Sequence, residues 1–438
     1  MNGWSDLIVD LIVTASPAMH ELRIDSERLW DTMMSMGRIG ATPGGGSRRL
    51  ALSDEDKVAR DLFCQWMREA GCAVSVDQIG NIFCRRKGRN DSAPPVMVGS
   101  HLDTVPTGGR FDGVAGVMAG VELIRTLNDA GIETEAPVEL AVWMNEEGSR
   151  FSPFTMGSMV FAGQFPLEQA YRCTEITNPA STISVKDELA RTGYLGTVPA
   201  QARPVACYFE VHNEQGPILG EAGFEVGIVT GSFFARYFIA TIRGDAAHVG
   251  PTPMERRKDA LVGTARLILE IDRIGRSYGP DGRSNAPHIN VYPNVRGVIP
   301  SEVRLSCDVR HSDVDTVKAM EAELRETAAR LAAQTGMAIE LDQYYEFGPI
   351  RFHPDMLQLL RDTAGSLGYK WRDILTVAGH DAVSMNALCP TAMIFAPSRA
   401  DGISHNEREY STPEDLASAA NVLLHAVLAK AGVAKASQ

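Results

Sequence analysis

The sequence has no uninterrupted apolar run of about 18 residues, so no helix is expected to span a bilayer. It has no CxxC pair. Its seven cysteines stand singly at positions 64, 72, 84, 173, 207, 307 and 389. An odd, scattered set argues against a disulfide framework and a cysteine-rich zinc site. It fits reduced core thiols in a cytoplasmic protein. Positive charge is not in excess: the formal net charge of −13 argues against nucleic acid or an anionic membrane as the main partner. A cleft can still oppose that global sign, so a small acidic substrate stays open. There is no internal repeat and no low-complexity tract. The opening MNGWSDLIVDLIVTASPAMH carries an apolar patch without a basic leader, and Asp6 and Asp10 interrupt it, so it does not read as a signal peptide.

What is there is globular: 44% hydrophobic and 22% charged residues. A length of 438 residues exceeds one ordinary core and suggests two domains, one interrupting the other. The pattern supports that. SERLWDTMMSMGRI (26–39) is helical, and Ser53 caps a helix through residue 71, with Asp56 three positions on. CAVSVDQIGNIFCRRKG reads as two strands around a Gly-Asn turn. PPVMVGSH and APVELAVWMNEEGSRF are strands ending in polar groups, with a helix over 113–130 between them. Residues 165–200 read as irregular, and RPVACYFEVHNEQGPIL resumes the strand pattern. Such alternation predicts an α/β sheet with its functional groups at strand ends.

From about residue 224 the style changes. FFARYFIATIRG, TPMERRKDALVGTARLILEIDRIG, PHINVYPNV, SEVRLSCDVRH, DVDTVKAMEAELRETAARLAAQTG and AIELDQYYEF read β-α-β-β-α-β, the order of a small inserted domain. The first style returns after Pro349 and ends in the helix TPEDLASAANVLLHAVLAKAG.

Seven potential ligands fall at strand ends or in loops: His101, Asp103, Asp112, Glu146, Glu147, His212 and His405. Zinc takes imidazole and carboxylate ligands, and a two-metal site needs a carboxylate bridging ions about 3.5–4 Å apart. One bridge, two histidines on one ion, and a Glu with a His on the other satisfy that count. A further carboxylate can handle the proton of the reacting water. Glu146-Glu147 follows a run that looks buried, and like charges leaving a core strand need a compensating cation. His20, His353 and His425 read as ordinary polar residues.

GSHLDTVPTGGRFDGVAGV, NEEGSRF, EVHNEQGPIL, GDAAHVGPTPMERRKDAL and APSRADGISHNEREY together resemble the zinc-dependent amidase, hydantoinase and carbamoylase group of the M20 metallopeptidase clan. The resemblance runs along nearly the whole chain. That group includes N-carbamoyl-L-amino acid hydrolases, β-ureidopropionases and allantoate amidohydrolases. It implies that His101 and His212 hold one metal, Glu147 and His405 the other, and that Asp112 bridges both. Glu146 is then the general base. Two divalent ions are implied, zinc first, with manganese, cobalt or nickel as alternatives. HNEQGP favours this branch over the dipeptidases and acylases, which are carboxylate-rich at His212. Asp103 is expected to orient His101 through its carboxylate, with direct ligation as the alternative.

By the same resemblance His248 hydrogen-bonds the scissile carbonyl oxygen. Arg310 pairs with a substrate carboxylate and Gln215 contacts the substrate. One departure stands out. Relatives read NVIPG where this chain has GVIPS, so Gly297 replaces an asparagine that binds substrate, and Ser301 replaces a glycine. Asn290, Asn294 and Arg296 are the candidates to compensate.

The expected architecture is a di-metal α/β catalytic domain over 1–218 and 347–438, interrupted by a lid and dimerisation domain over 219–346. The expected activity is hydrolysis of a linear amide or ureido C–N bond in a small carboxylate substrate. N-carbamoyl-L-amino acids come first, then the other two substrates of the group, then those of an aminoacylase or dipeptidase. The non-enzyme alternative is a metal-dependent binding protein on a retired enzyme fold. A cytoplasmic homodimer joined through the lid completes the expectation.

Overall fold

The computed structural model describes residues 20–178 and 181–434. The apolar patch read at the start of the chain falls on residues 1–19, outside that range. Among the described residues no helix is long and apolar enough to cross a membrane. The chain divides into two compact units. One runs to Thr230 and resumes over Phe352–Ile374 and from Gly379; the other is Gly231–Arg351 with Leu375–Ala378.

The first unit begins with the helix Ser26–Gly37, capped by Asp25, and the helix Asp54–Glu69, capped by Ser53. Ser53 accepts from the Asp56 amide as expected, but the Asp56 carboxylate turns inward to a buried ion pair with Arg60 at 2.7 Å. Strands β1 (Ala73–Val76) and β2 (Ile82–Arg86) form the hairpin read from Gly80-Asn81. Strands β3 (Val96–His101), β4 (Val138–Trp143), β5 (Cys207–Asn213) and β6 (Val226–Ser232) follow. Residues 165–200 are less irregular than expected. They contain the short helices Leu167–Arg172 and Val185–Thr192, the second closed by a reciprocal Ser184–Asp187 cap. Helices this short carry too few turns for periodicity to show.

The second unit holds β7 (Phe234–Arg243), β8 (Ala247–His248), β9 (Arg283–Tyr292), β10 (Val298–Ile299), β11 (Glu302–His311) and β12 (Ala338–Phe347). Its antiparallel sheet has the order β12-β7-β11-β9. Alternate residues of β7 and β11, such as Phe238, Ala240 and Ile242 with Val303, Leu305 and Val309, pack with Leu267, Ile271, Met320 and Leu324 of two helices. Those helices are Ala260–Ser277 and Val314–Thr335. The sequence pattern opens the first of them at Thr252, but the helix starts only at Ala260. Its cap is Asp259, whose carboxylate accepts from the amides of Leu261 and Val262. Pro253 disfavours helical backbone at Thr252, the residue before it.

The chain then returns through the helix Pro354–Ser366 to β13 (Trp371–Thr376), β14 (Thr391–Ala396) and the helix Pro413–Ala431. The eight-stranded sheet has the order β1-β2-β4-β3-β5-β14-β6-β13. Its middle strands β4, β3, β5 and β14 run parallel, and every residue in them is buried. Fully buried parallel strands read as near-continuous apolar runs, as VELAVW (broken only by Glu139) and TAMIFA (after Thr391) do. The sequence pattern assigns residues 219–230 to the second domain. They belong to the first unit instead, because β6 pairs with β14 through Val229 and Met393.

Connections leave β3 toward β4 on one side, whereas β5 lies on the other. That reversal opens a crevice beyond the carboxyl ends of β3 and β5, where α/β sheets bind ligands. His101 ends β3 and His212 lies next to the end of β5.

Candidate metal centre

The crevice gathers seven of the expected residues. Asp112 lies at its centre. One carboxylate oxygen faces His212 Nε2 at 3.2 Å and His101 Nε2 at 3.7 Å; the other faces His405 Nε2 at 3.2 Å. Glu147 stands 3.4 Å from His405 Nε2, and Glu146 stands 3.4 Å from His101 Nε2. Two ligand groups result, His101–Asp112–His212 and Asp112–Glu147–His405. Within each, the offered atoms lie within 4.8 Å of one another, and both include Asp112.

The backbone brings these side chains in. Gly113 opens the helix Val114–Asp129 with φ 65°, a conformation glycine adopts without strain. A Cβ there would overlap the His101 ring, and a Cβ on Gly109 would overlap the Glu409 carboxylate. His405 also has positive φ, 51°, on a loop after β14. Asn145, with φ 55°, turns the chain at the end of β4 and gives its side-chain amide to the Phe151 carbonyl at 2.7 Å.

Asp103 does not act on His101 as expected. His101 Nδ1 donates to the Asp103 backbone carbonyl at 2.9 Å. The Asp103 carboxylate accepts instead from the backbone amides of Glu146 and Glu147, each at 3.2 Å. One residue thus orients a ligand with its main chain and the Glu146-Glu147 turn with its side chain. His212 is oriented in the same manner, Nδ1 donating to the Asn213 carbonyl at 2.9 Å. Both imidazoles therefore present Nε2 to the carboxylates.

This donor set fits a divalent cation. Neutral imidazole Nε2 atoms and carboxylate oxygens are all acceptors, and here they converge. Two like charges 4 Å apart repel by about 4 kcal/mol even at an effective dielectric of 20. The alternative to a cation is protonation, and the surroundings of the carboxylates push them toward it. Burial, then Asp381 and Glu147, push Glu146 well above the usual carboxylate range; burial and Asp112 do the same to Glu147. The hydrogen bond to Asp112 lifts His405 to about 10. Burial pushes His101 down to about 4. Glu147 Oε1 is buried with no hydrogen-bond partner. Imidazole and carboxylate ligands suit zinc and its first-row neighbours.

Gln215 Nε2 donates to Asp112 at 2.8 Å, and its Oε1 is buried without a partner. The remaining four expected residues belong to the second unit. There His248 is held by β8 pairing with β10, opposite Val298, and its Nδ1 accepts from the Gly250 amide at 3.1 Å. Arg310, on β11, bonds Asp308 at 2.6 Å and the Val377 carbonyl at 3.3 Å, over the ring of Tyr237. Asn290, on β9, pairs with Arg304 of β11, six positions before Arg310 and about 20 Å from it at strand rise. Asn294 is exposed, with φ 49°, on the turn between β9 and β10. Gly297 lies in the same turn with φ 91°, and its carbonyl accepts from the Val249 amide at 3.2 Å.

Sequence reasoning missed several buried groups here. The His380 ring meets His212 edge-on at 4.5 Å. Asp381 accepts from Ser158 at 2.5 Å, and Glu210 accepts from Ser100 at 3.0 Å. Glu409 accepts from the amides of Phe111 and Asp112. GHDA and ISHNEREY contain some of these residues, but neither periodicity nor spacing marks an acid as buried. Two of the three histidines read as ordinary polar residues lie in local structural contacts. His353 caps a helix, and His425 bonds the Leu22 carbonyl at 2.9 Å.

The model of peptidase family M20/M25/M40 matches residues 97–429. The chain belongs to that family, and it is a hydrolase. It is 38% identical to an N-carbamoyl-L-amino-acid amidohydrolase of Rhizobium meliloti, over 94% of this chain and 98% of the relative. It is 37% identical to an N-carbamoyl-L-amino acid amidohydrolase of Geobacillus stearothermophilus, over 92% and 98%. A crystal structure of a hydantoinase/carbamoylase family amidase from Burkholderia vietnamiensis superposes with TM-score 0.90 at 47% identity, covering 94% of this chain and 98% of that one. These relatives define an amidohydrolase acting on C–N bonds of linear amides.

Proposed function

We propose that the protein hydrolyses N-carbamoyl-L-amino acids to the free amino acid, ammonia and carbon dioxide, using two divalent ions. The carrying observation is the pair of ligand groups that share Asp112, with Glu146 beside them. His101, Asp112 and His212 would hold one ion; Asp112, Glu147 and His405 the other. Zinc leads, with manganese, cobalt or nickel compatible with the same ligands. When bound, the pair supplies Lewis acidity toward the scissile carbonyl and toward water.

The chain's own residues do the rest. Glu146, a buried carboxylate whose basicity the site raises, takes a proton from the attacking water and delivers it to the leaving nitrogen. His248 accepts the Gly250 amide at Nδ1, which leaves the neutral ring's proton on Nε2. That proton is donated to the carbonyl oxygen as charge develops. Arg310, stiffened by Asp308 and Tyr237, pairs with the substrate carboxylate. In this reading the second unit is a lid whose closure brings His248 and Arg310 to the substrate. It is also the dimer surface. Leu261, Val262 and Leu269 on its helix, and Ile289 and Tyr292 on the edge strand β9, are large exposed hydrophobics that a second copy would cover. Seven free cysteines suit a cytoplasmic setting.

The test is a substrate panel on metal-loaded protein: N-carbamoyl-L- and D-amino acids, N-carbamoyl-β-alanine, allantoate, N-acyl amino acids and dipeptides. Amine and ammonia release are both measured. Equimolar amine and ammonia from the N-carbamoyl-L-amino acids is expected. Amine release from N-acyl substrates alone, without ammonia, rejects the carbamoylase reading.

A further inference from the structure

Glu409 hydrogen-bonds to residues in or next to both ligand groups and belongs to neither. It is 2% exposed and accepts four hydrogen bonds. Oε2 takes the backbone amides of Phe111 at 3.0 Å and Asp112 at 3.1 Å. Oε1 takes Asn213 Nδ2 at 3.0 Å and Ser404 Oγ at 2.6 Å. The donors come from three distant segments, and each is a ligand or its neighbour in sequence. Asp112 is the shared carboxylate, Asn213 follows His212, and Ser404 precedes His405.

The surrounding packing is built to the same plan. Gly109 leaves no space for a side chain because the Glu409 carboxylate occupies it. Phe111, next to Asp112, meets Tyr410, next to Glu409, edge-to-face at 5.9 Å, and Trp30 packs on both. A carboxylate so close to Asp112 is electrostatically unfavourable by itself. No neutral side chain of this size has four acceptor positions and no donor, however, and four donors converge here.

We infer that Glu409 is a positioning residue that fixes Asp112, His212 and His405 in one frame and so sets metal affinity at both groups. The inference rests on reading those groups as metal-holding. It separates Glu409 from ordinary structural carboxylates such as Asp77, which is equally buried and accepts the amides of Ile79 and Asn81 away from the ligands.

Glu409→Gln keeps the shape but turns one acceptor oxygen into a donor facing two donors. Wild type, Glu409→Gln and Asp77→Asn are stripped of metal and titrated with Co²⁺ against a chelator. The visible d–d spectrum is recorded, and the melting temperature of each apo-protein is measured. Glu409→Gln is expected to bind Co²⁺ at both sites at least about tenfold more weakly, with an altered spectrum. Asp77→Asn is expected to melt lower but bind Co²⁺ as wild type does. Wild-type affinity and spectrum in Glu409→Gln, whatever its melting temperature, overturn the inference. If Glu409→Gln does not fold, Asn213→Ala removes one of the four donors, keeps the backbone carbonyl that orients His212, and is judged by the same two readouts. A wild type that binds no Co²⁺ pair instead overturns the metal reading itself.

Discussion

The His101 imidazole occupies the space that a side chain on Gly113 would need. The Nε2 nitrogen of one strand end is thus packed directly against the backbone that starts the next helix. Gly113→Ala adds both that overlap and the strain of φ 65° with ψ −44°, which lies outside the left-handed helical region and costs more than the ~1–2 kcal/mol typical there. The variant is expected to fold but to lose metal at the His101 group and most of its activity. Metal content after dialysis, with circular dichroism, checks this.

Asp112 offers one oxygen to each ligand group. Asp112→Ala should therefore empty both sites together. Metal stoichiometry near zero is expected; retention of one full equivalent shows that the carboxylate is not shared.

Glu146 lies beside His101 without belonging to either ligand group. Glu146→Gln should retain its metal ions while kcat falls by about 10²–10⁴. Metal analysis and ammonia release, measured on one preparation, test this. Undiminished turnover removes Glu146 as the base.

Asp103 divides its two roles between main chain and side chain. Asp103→Asn keeps the carbonyl that orients His101 but places an amide donor against one of two backbone amides. The loss should fall on turnover and on the Glu147 site, with the His101 site spared. Equal weakening of both sites by Co²⁺ titration contradicts that division.

His425, on the helix Pro413–Ala431, bonds the Leu22 carbonyl. Burial holds its pKa below the ordinary histidine range. A base with a depressed folded-state pKa stabilises fully above its unfolded value, about 6.5, and less as pH falls through it. His425→Gln does not titrate and keeps an amide donor. Wild type should lose melting temperature relative to the variant between about pH 7.5 and pH 5.5, and a constant difference refutes the assignment.

Much of this was legible in the residue order. Apolar runs such as VELAVW announced buried strands, and the β-α-β-β-α-β order of the second unit followed from alternating periods of two and 3.6. The candidate ligands were legible as residue types, and the resemblance grouped them; the structure brings the same residues together in two groups around Asp112. Short elements such as Val185–Thr192 were not legible, because one or two turns leave no period. The pairing of Asn290 with Arg304 was not legible either, because register is a property of strand pairing.

The sequence by itself determined which residues can ligate, and that strands carry them outward, because residue chemistry and hydrophobic period are local. Only the tertiary structure decided that Asp103 serves His101 through its carbonyl and the Glu146-Glu147 turn through its carboxylate. It alone made Glu409 a buried anchor rather than one more acid in a charged loop. Hydrogen bonds between segments hundreds of residues apart depend on distances that the order of residues does not contain.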